Sequence, residues 1–162
     1  MTPPNHTHTD RHQELDADVA EYLNELLQAH RESVAGYREA AEALGDEHTD
    51  LSGLFRDIAA DRERFADELA HHVDVHSDEK PENDESLGAK LHQTWIKIRA
   101  AINVKDREVV LCETIRGEKH LKREFEEAMP KIAGSHLTSL LNERYSRLTQ
   151  TLERLEQLEA AA

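Results

Sequence analysis

The chain has 162 residues, a formal net charge of −14, 38% hydrophobic residues and only 4% aromatics. That length fits one ordinary domain with its own core. The negative charge repels phosphate backbones and anionic lipid, and no apolar run approaches the ~20 residues of a bilayer span, so nucleic-acid and membrane roles are set aside.

Six glycines and four prolines, with 33% charged residues, suit long amphipathic helices rather than a turn-rich sheet protein. The lone Cys112 has no partner for an internal disulfide. It reads as a buried structural thiol, eight residues from His120 and therefore two helical turns away from it. With no hydrophobic signal region at the N-terminus, the expected location is cytoplasmic. The acidic surface reads as solvation.

Residues 1–12 (MTPPNHTHTDRH) predict a disordered polar tail whose histidines His6, His8 and His12 are solvated. The bundle domain is expected over 13–162. A first helix from about Glu14 to Leu44, with Asp10 near its cap, carries Val19, Leu23, Leu26, Ser33, Tyr37, Ala40 and Leu44 at spacings of three, four and seven. His30 falls on the same stripe. Gly45 marks the stop, and Thr49 is the expected N-cap of a second helix. The second stripe reads Leu51, Leu54, Phe55, Ile58, Arg62, Phe65, Leu69 and His72. The short link makes the two helices an antiparallel hairpin. Residues 74–86, acidic and containing Pro81, predict a loop.

A shorter helix follows over 87–102, with Leu91, Trp95, Ile98 and Ile102 on its inner side and Trp95 as a core anchor. After a break at Asn103 to Lys105, a fourth helix is expected from Asp106 to Met129, interrupted by Pro130 and Gly134. The last, from Ser135 to Leu158, carries Leu137, Leu141, Leu148, Leu152 and Leu155. The plan is two long hairpins joined by a long connection that holds one shorter helix.

Leu23-Asn24, Leu26-Leu27 and Tyr37 make the first helix similar to that of bacterioferritins and rubrerythrins, in the ferritin-like superfamily. Gly117, Lys119 and Leu121 extend the likeness to the fourth helix. Three segments resemble an uncharacterised family of small ferritin-like bundle proteins known as a domain of unknown function: GYREAAE (36–42), LFRDIAADRERFADEL (54–69) and LGAKLHQTWIKIRAAI (87–102). The fold expected from this resemblance is all-α, a ferritin-like antiparallel four-helix bundle with an additional helix in the long crossover.

The resemblance also implies where a di-iron site would fall. His30 takes the place of the carboxylate seven positions before the tyrosine, and the fourth-helix glutamate would lie near Thr114, with Glu113 adjacent. Such a site needs a Glu from two helices and Glu-x-x-His from the other two. On the second helix the inward pair at that offset is Arg62 and Phe65. On the last helix it is Glu143 with Ser146 or Arg144 with Arg147. None is Glu-x-x-His, and an interior Arg62 repels iron and calls for a carboxylate such as Glu113. The intact ligand set is therefore expected to be absent.

Two histidine positions remain as candidate metal ligands. His30 reads first as a core histidine hydrogen-bonded across the bundle, and otherwise as a ligand needing partners on facing helices. At the end of the second helix, Glu68, His72 and His76 are spaced four apart, and Glu68 with His71 forms a Glu-x-x-His; this cluster suits zinc or nickel, with solvated side chains as the plainer reading. No glycine-rich phosphate loop or nucleophile elbow is present. The expectation is a non-enzymatic structural or interaction protein with no cofactor, stress-associated as the resemblance suggests, and able to form a homodimer. The alternative is a metal-binding or iron-handling protein that uses zinc or iron at His30 or the His71–His76 cluster.

Overall fold

The computed structural model describes residues 17–73, 87–133 and 136–161, and among them all regular structure is helical. The elements are α1 (Ala17–Leu44), a 3-10 turn (Gly45–His48), α2 (Thr49–His72), α3 (Leu87–Asn103), α4 (Arg107–Ile132) and α5 (Thr138–Ala160). The α1 stripe faces inward along its whole length: Val19, Leu23, Leu26, His30, Ser33, Tyr37, Ala40 and Leu44 are all buried. A fully buried Leu contributes roughly 1.5–3 kcal/mol before its ordering entropy is counted, and these stripes are what hold the helices together. No described helix is long and apolar enough to cross a membrane. The expected tail, the Asp10 cap, the loop at 74–86 and Gly134 lie outside the described residues.

Side-chain bridges give the helix directions. Glu32, Glu39 and Glu47 of α1 and its following turn meet His92, Arg99 and Lys105 at 3.1, 2.7 and 3.0 Å, so α3 runs parallel to α1. Asp50 meets Arg107 at 2.6 Å near both N-termini, so α2 and α4 are parallel. Tyr145 donates to Glu126 at 2.7 Å and Lys119 lies 3.7 Å from Glu156, which makes α4 and α5 antiparallel. The most extensive contact is between α1 and α2, and α3 packs on both α1 and α4. Two glycines permit that packing. A Cβ on Gly36 would come within 2.3 Å of the Trp95 ring, and one on Gly117 within 2.9 Å of Thr94 Cγ2. Trp95 is buried there, as an anchor should be.

The apolar core is in two lobes. One gathers Leu23, Leu27, Leu69, Phe125, Leu141 and Leu148. The other gathers Tyr37, Leu51, Phe55, Trp95, Leu111 and Leu155. Between them sit buried polar and charged residues from four helices: His30 and Ser33, Arg62, Glu118, and Arg144.

Four local readings need correction. Gly45, at φ 51°, ends α1 as expected, but a 3-10 turn follows and Thr49 is the first residue of α2 rather than a side-chain cap. Pro130 does not end α4, which runs on to Ile132. Pro130 has no N–H to donate to the Glu126 carbonyl one turn back, and burial of Ile132 holds the turn down despite that loss. His72 is exposed, because the inward stripe of α2 ends at Leu69. Cys112 is exposed, not a buried thiol: the inward residues beside it are Leu111 and Thr114. At the break before α4, the amide of Lys105 donates to Ile102 O and that of Asp106 to Ala101 O, a Schellman ending with Lys105 at φ 56°. Asp106 then caps α4 through the Val109 amide at 3.1 Å.

Candidate functional site

Among the described residues, the polar layer is the one place where buried ionisable side chains from several helices converge. The guanidinium of Arg62 donates to Glu118 Oε2 and to the Ser33 hydroxyl, joining α2 to α4 and α1. Tyr37 donates to the other carboxylate oxygen of Glu118 at 2.5 Å. Both oxygens of Glu118 are therefore held, each by a different helix. The Arg62 guanidinium carbon also lies 5.1 Å from the centre of the Tyr37 ring, within cation–π range. On the α2–α5 side, Arg144 donates to Asp61 at 2.6 Å and Arg147 to its other oxygen at 3.1 Å.

The electrostatics follow from burial and from these pairings. Burial opposes the charge on Arg62, but Glu118 and Tyr37 outweigh it and raise its pKa. Arg144 goes the other way: burial and then the charge of Arg62 lower its pKa, partly offset by Asp61. Burial first, and Glu118 second, push Tyr37 well above the ordinary phenol range, so it stays protonated and donates. His30 is held well below the ordinary imidazole range, first by burial and then by Arg62 and Arg144. It is neutral near pH 7, and its Nδ1–H donates to Leu26 O at 2.7 Å. The bond goes to its own helix rather than across the bundle. Phe65 and Phe125 flank the ring at 4.6 and 5.7 Å between centroids.

The carboxylate that meets Arg62 is Glu118, not Glu113. Inward positions of α4 include Leu111, Thr114, Glu118, Leu121 and Phe125, and Glu113 lies one step off that row. It pairs instead with Arg116 at 3.3 Å. The signal for Glu118 was in the sequence: it stands four residues past Thr114, on the same face. Thr114 turns its hydroxyl to Val110 O of its own helix. Arg62 and Phe65 both point inward, as their spacing indicated, and the acid that α2 brings to the layer, Asp61, is partly exposed and bonded to Arg144.

The second candidate cluster lies at the far end of α2. Glu68 is exposed and lines a cavity of about 180 Å³ between α2 and α5, together with Asp61, Arg64, Phe65, Arg144 and Arg147. His71 and His72 are exposed, and His76 lies outside the described residues. The His72 ring instead meets His136, 5.3 Å between centroids. Among the described residues no group of three or more His, Cys, Asp or Glu is arranged to hold a metal ion.

A family described as a domain of unknown function (DUF2383) matches residues 18–131, from the start of α1 to the last turn of α4. No curated protein and no solved structure matches the chain. The matched span includes His30, Tyr37, Arg62 and Glu118 but not Arg144 of α5. Because it covers well over half of the sequence, the chain belongs to the DUF2383 family.

Proposed function

We propose that the chain is a non-enzymatic structural or interaction protein on a ferritin-like plan, with a buried ionic layer where a ferritin-like enzyme would hold two metal ions. The helix directions support the plan. Since α2 and α4 are parallel, the chain must return along the bundle between them, and one long crossover is the ferritin-like connection. On this reading α3 is the additional helix of that crossover, wedged against Gly36 and Gly117.

One observation carries the reading: a buried arginine stands mid-way along α2 and is bonded to the one inward carboxylate of α4. A guanidinium there repels a cation and occupies the ligand oxygens that would bind it. The test is addition of ferrous iron to the purified chain in air. The expected result is dioxygen uptake no faster than the buffer alone, with a melting temperature indifferent to chelator. Rapid uptake, or melting that falls on chelation, would refute the proposal. Self-association into a homodimer belongs to the same proposal, and light scattering checks it.

A second reading, zinc at the end of α2, is favoured by the closeness of His72 and His136 with Glu68 one turn away. Calorimetric titration with zinc decides it. Binding that disappears in the His72→Ala, His76→Ala variant supports a site, and binding unchanged by it removes the idea.

A further inference from the structure

Four buried side-chain atoms among the described residues have no hydrogen-bond partner in the protein: His30 Nε2, Arg62 Nε, Arg144 Nε and Glu113 Oε2. The first three belong to the polar layer. Two of them share a neighbour: the His30 ring is 4.6 Å from that of Phe65, and the Arg144 guanidinium carbon is 5.8 Å from the same ring. Arg62 reaches Ser33, one turn past His30 on the same inward stripe. Both arginines act electrostatically on His30 and on each other.

The chemistry of the three atoms is complementary. A carbonyl can only accept, so the bond to Leu26 O places the His30 proton on Nδ1 and leaves Nε2 as an acceptor. The two arginine Nε–H groups are donors. The occupant that satisfies all three accepts twice and donates once. A cation is repelled by two guanidinium groups. An anion meets the bare lone pair of Nε2, and both arginine charges are already balanced, by Glu118 and by Asp61.

We propose that His30, Arg62 and Arg144 form a binding site for a single structural water, which accepts from the two Nε–H groups and donates to His30 Nε2. Three partners is the usual number for a buried water. Phe65 and Arg144 also line the cavity between α2 and α5, which gives the water its route of exchange with solvent. The water links α1, α2 and α5 at one point, a connection that direct side-chain bonds do not supply to His30.

The test is a high-resolution crystal structure of the wild-type chain grown in bromide, with anomalous data at the bromine edge. The expected result is an isolated oxygen-like peak within hydrogen-bond distance of all three nitrogens and no anomalous signal there. A dry interior, or a bromide peak, overturns the water site and leaves the proposed metal-free function standing. A metal ion at the same point overturns both. In solution, water-selective magnetisation transfer should reach the Nε–H protons of both arginines, and transfer to fewer than both contradicts the site.

Discussion

Two regions of this protein carry histidines and acids at helical spacing, and they are built differently. In the middle of the bundle, His30, Tyr37, Arg62 and Glu118 come from three helices and are buried, and Tyr37 and Arg62 hold the two oxygens of Glu118 in fixed directions. At the end of α2, Glu68, His71 and His72 follow a better ligand spacing along the chain but face water. The difference teaches that spacing on one helix says little about a site until other helices supply the remaining groups. In the middle they do, but with a cation where a metal centre requires acids. At the end, the described neighbour of His72 is a single exposed histidine.

Removing one charge from the middle is expected to have the largest effect. Arg62→Met leaves Glu118 buried beside Tyr37 without its cation, and the expected loss is about 3–5 kcal/mol in denaturant unfolding. Adding Glu118→Leu should recover most of that loss, because paired apolar replacements of a buried ion pair are often near neutral. Failure of the second change to recover stability would mean that the two residues act independently.

Gly36→Ala tests how the layer is covered. Its Cβ would strike the Trp95 ring, so α3 must shift, at a cost of about 1–3 kcal/mol. Trp95 fluorescence should move to longer wavelength as the ring gains water. An unchanged spectrum would show that α3 has room to spare.

The pH dependence isolates His30. Its folded pKa lies well below the ordinary value, first because of burial and then because of Arg62 and Arg144. Below about pH 6.5 the unfolded chain therefore binds a proton that the folded chain refuses. Stability falls as pH falls there, by up to about 1.4 kcal/mol per pH unit from this group. In His30→Leu the slope between pH 6.5 and 5 should be shallower by that amount. Equal slopes would show that His30 takes up its proton as readily in the folded chain as in the unfolded one. The smallest effect is expected at the other region: His72→Ala, on the surface, should stay within about 0.5 kcal/mol of wild type.

Much of the fold was legible in the sequence because helical stripes repeat. All of the α1 stripe, and the α2 stripe up to Leu69, are buried as their spacing required. The errors arose where one residue decides. Pro130 is tolerated because it sits in a last turn whose Ile132 is packed, a tertiary effect that local rules miss. Thr49 had the chemistry of a cap, but the 3-10 turn before it takes over the approach to α2. The polar layer was half legible. Arg62 and His30 lay plainly on inward stripes, whereas Glu118 was passed over for Glu113, one position out of phase. Asp61, beside Arg62 and only partly buried, gave no periodic sign that it would hold Arg144 and Arg147 from α5.

The proposed function places a salt-bridged layer where a ferritin-like enzyme would keep its metals. Elemental analysis of protein purified without an affinity tag tests it most directly. The account predicts far less than one iron, zinc or manganese ion per chain. Two ions per chain that survive mild chelation, and are lost on exchanging Glu118 for Gln, would contradict it.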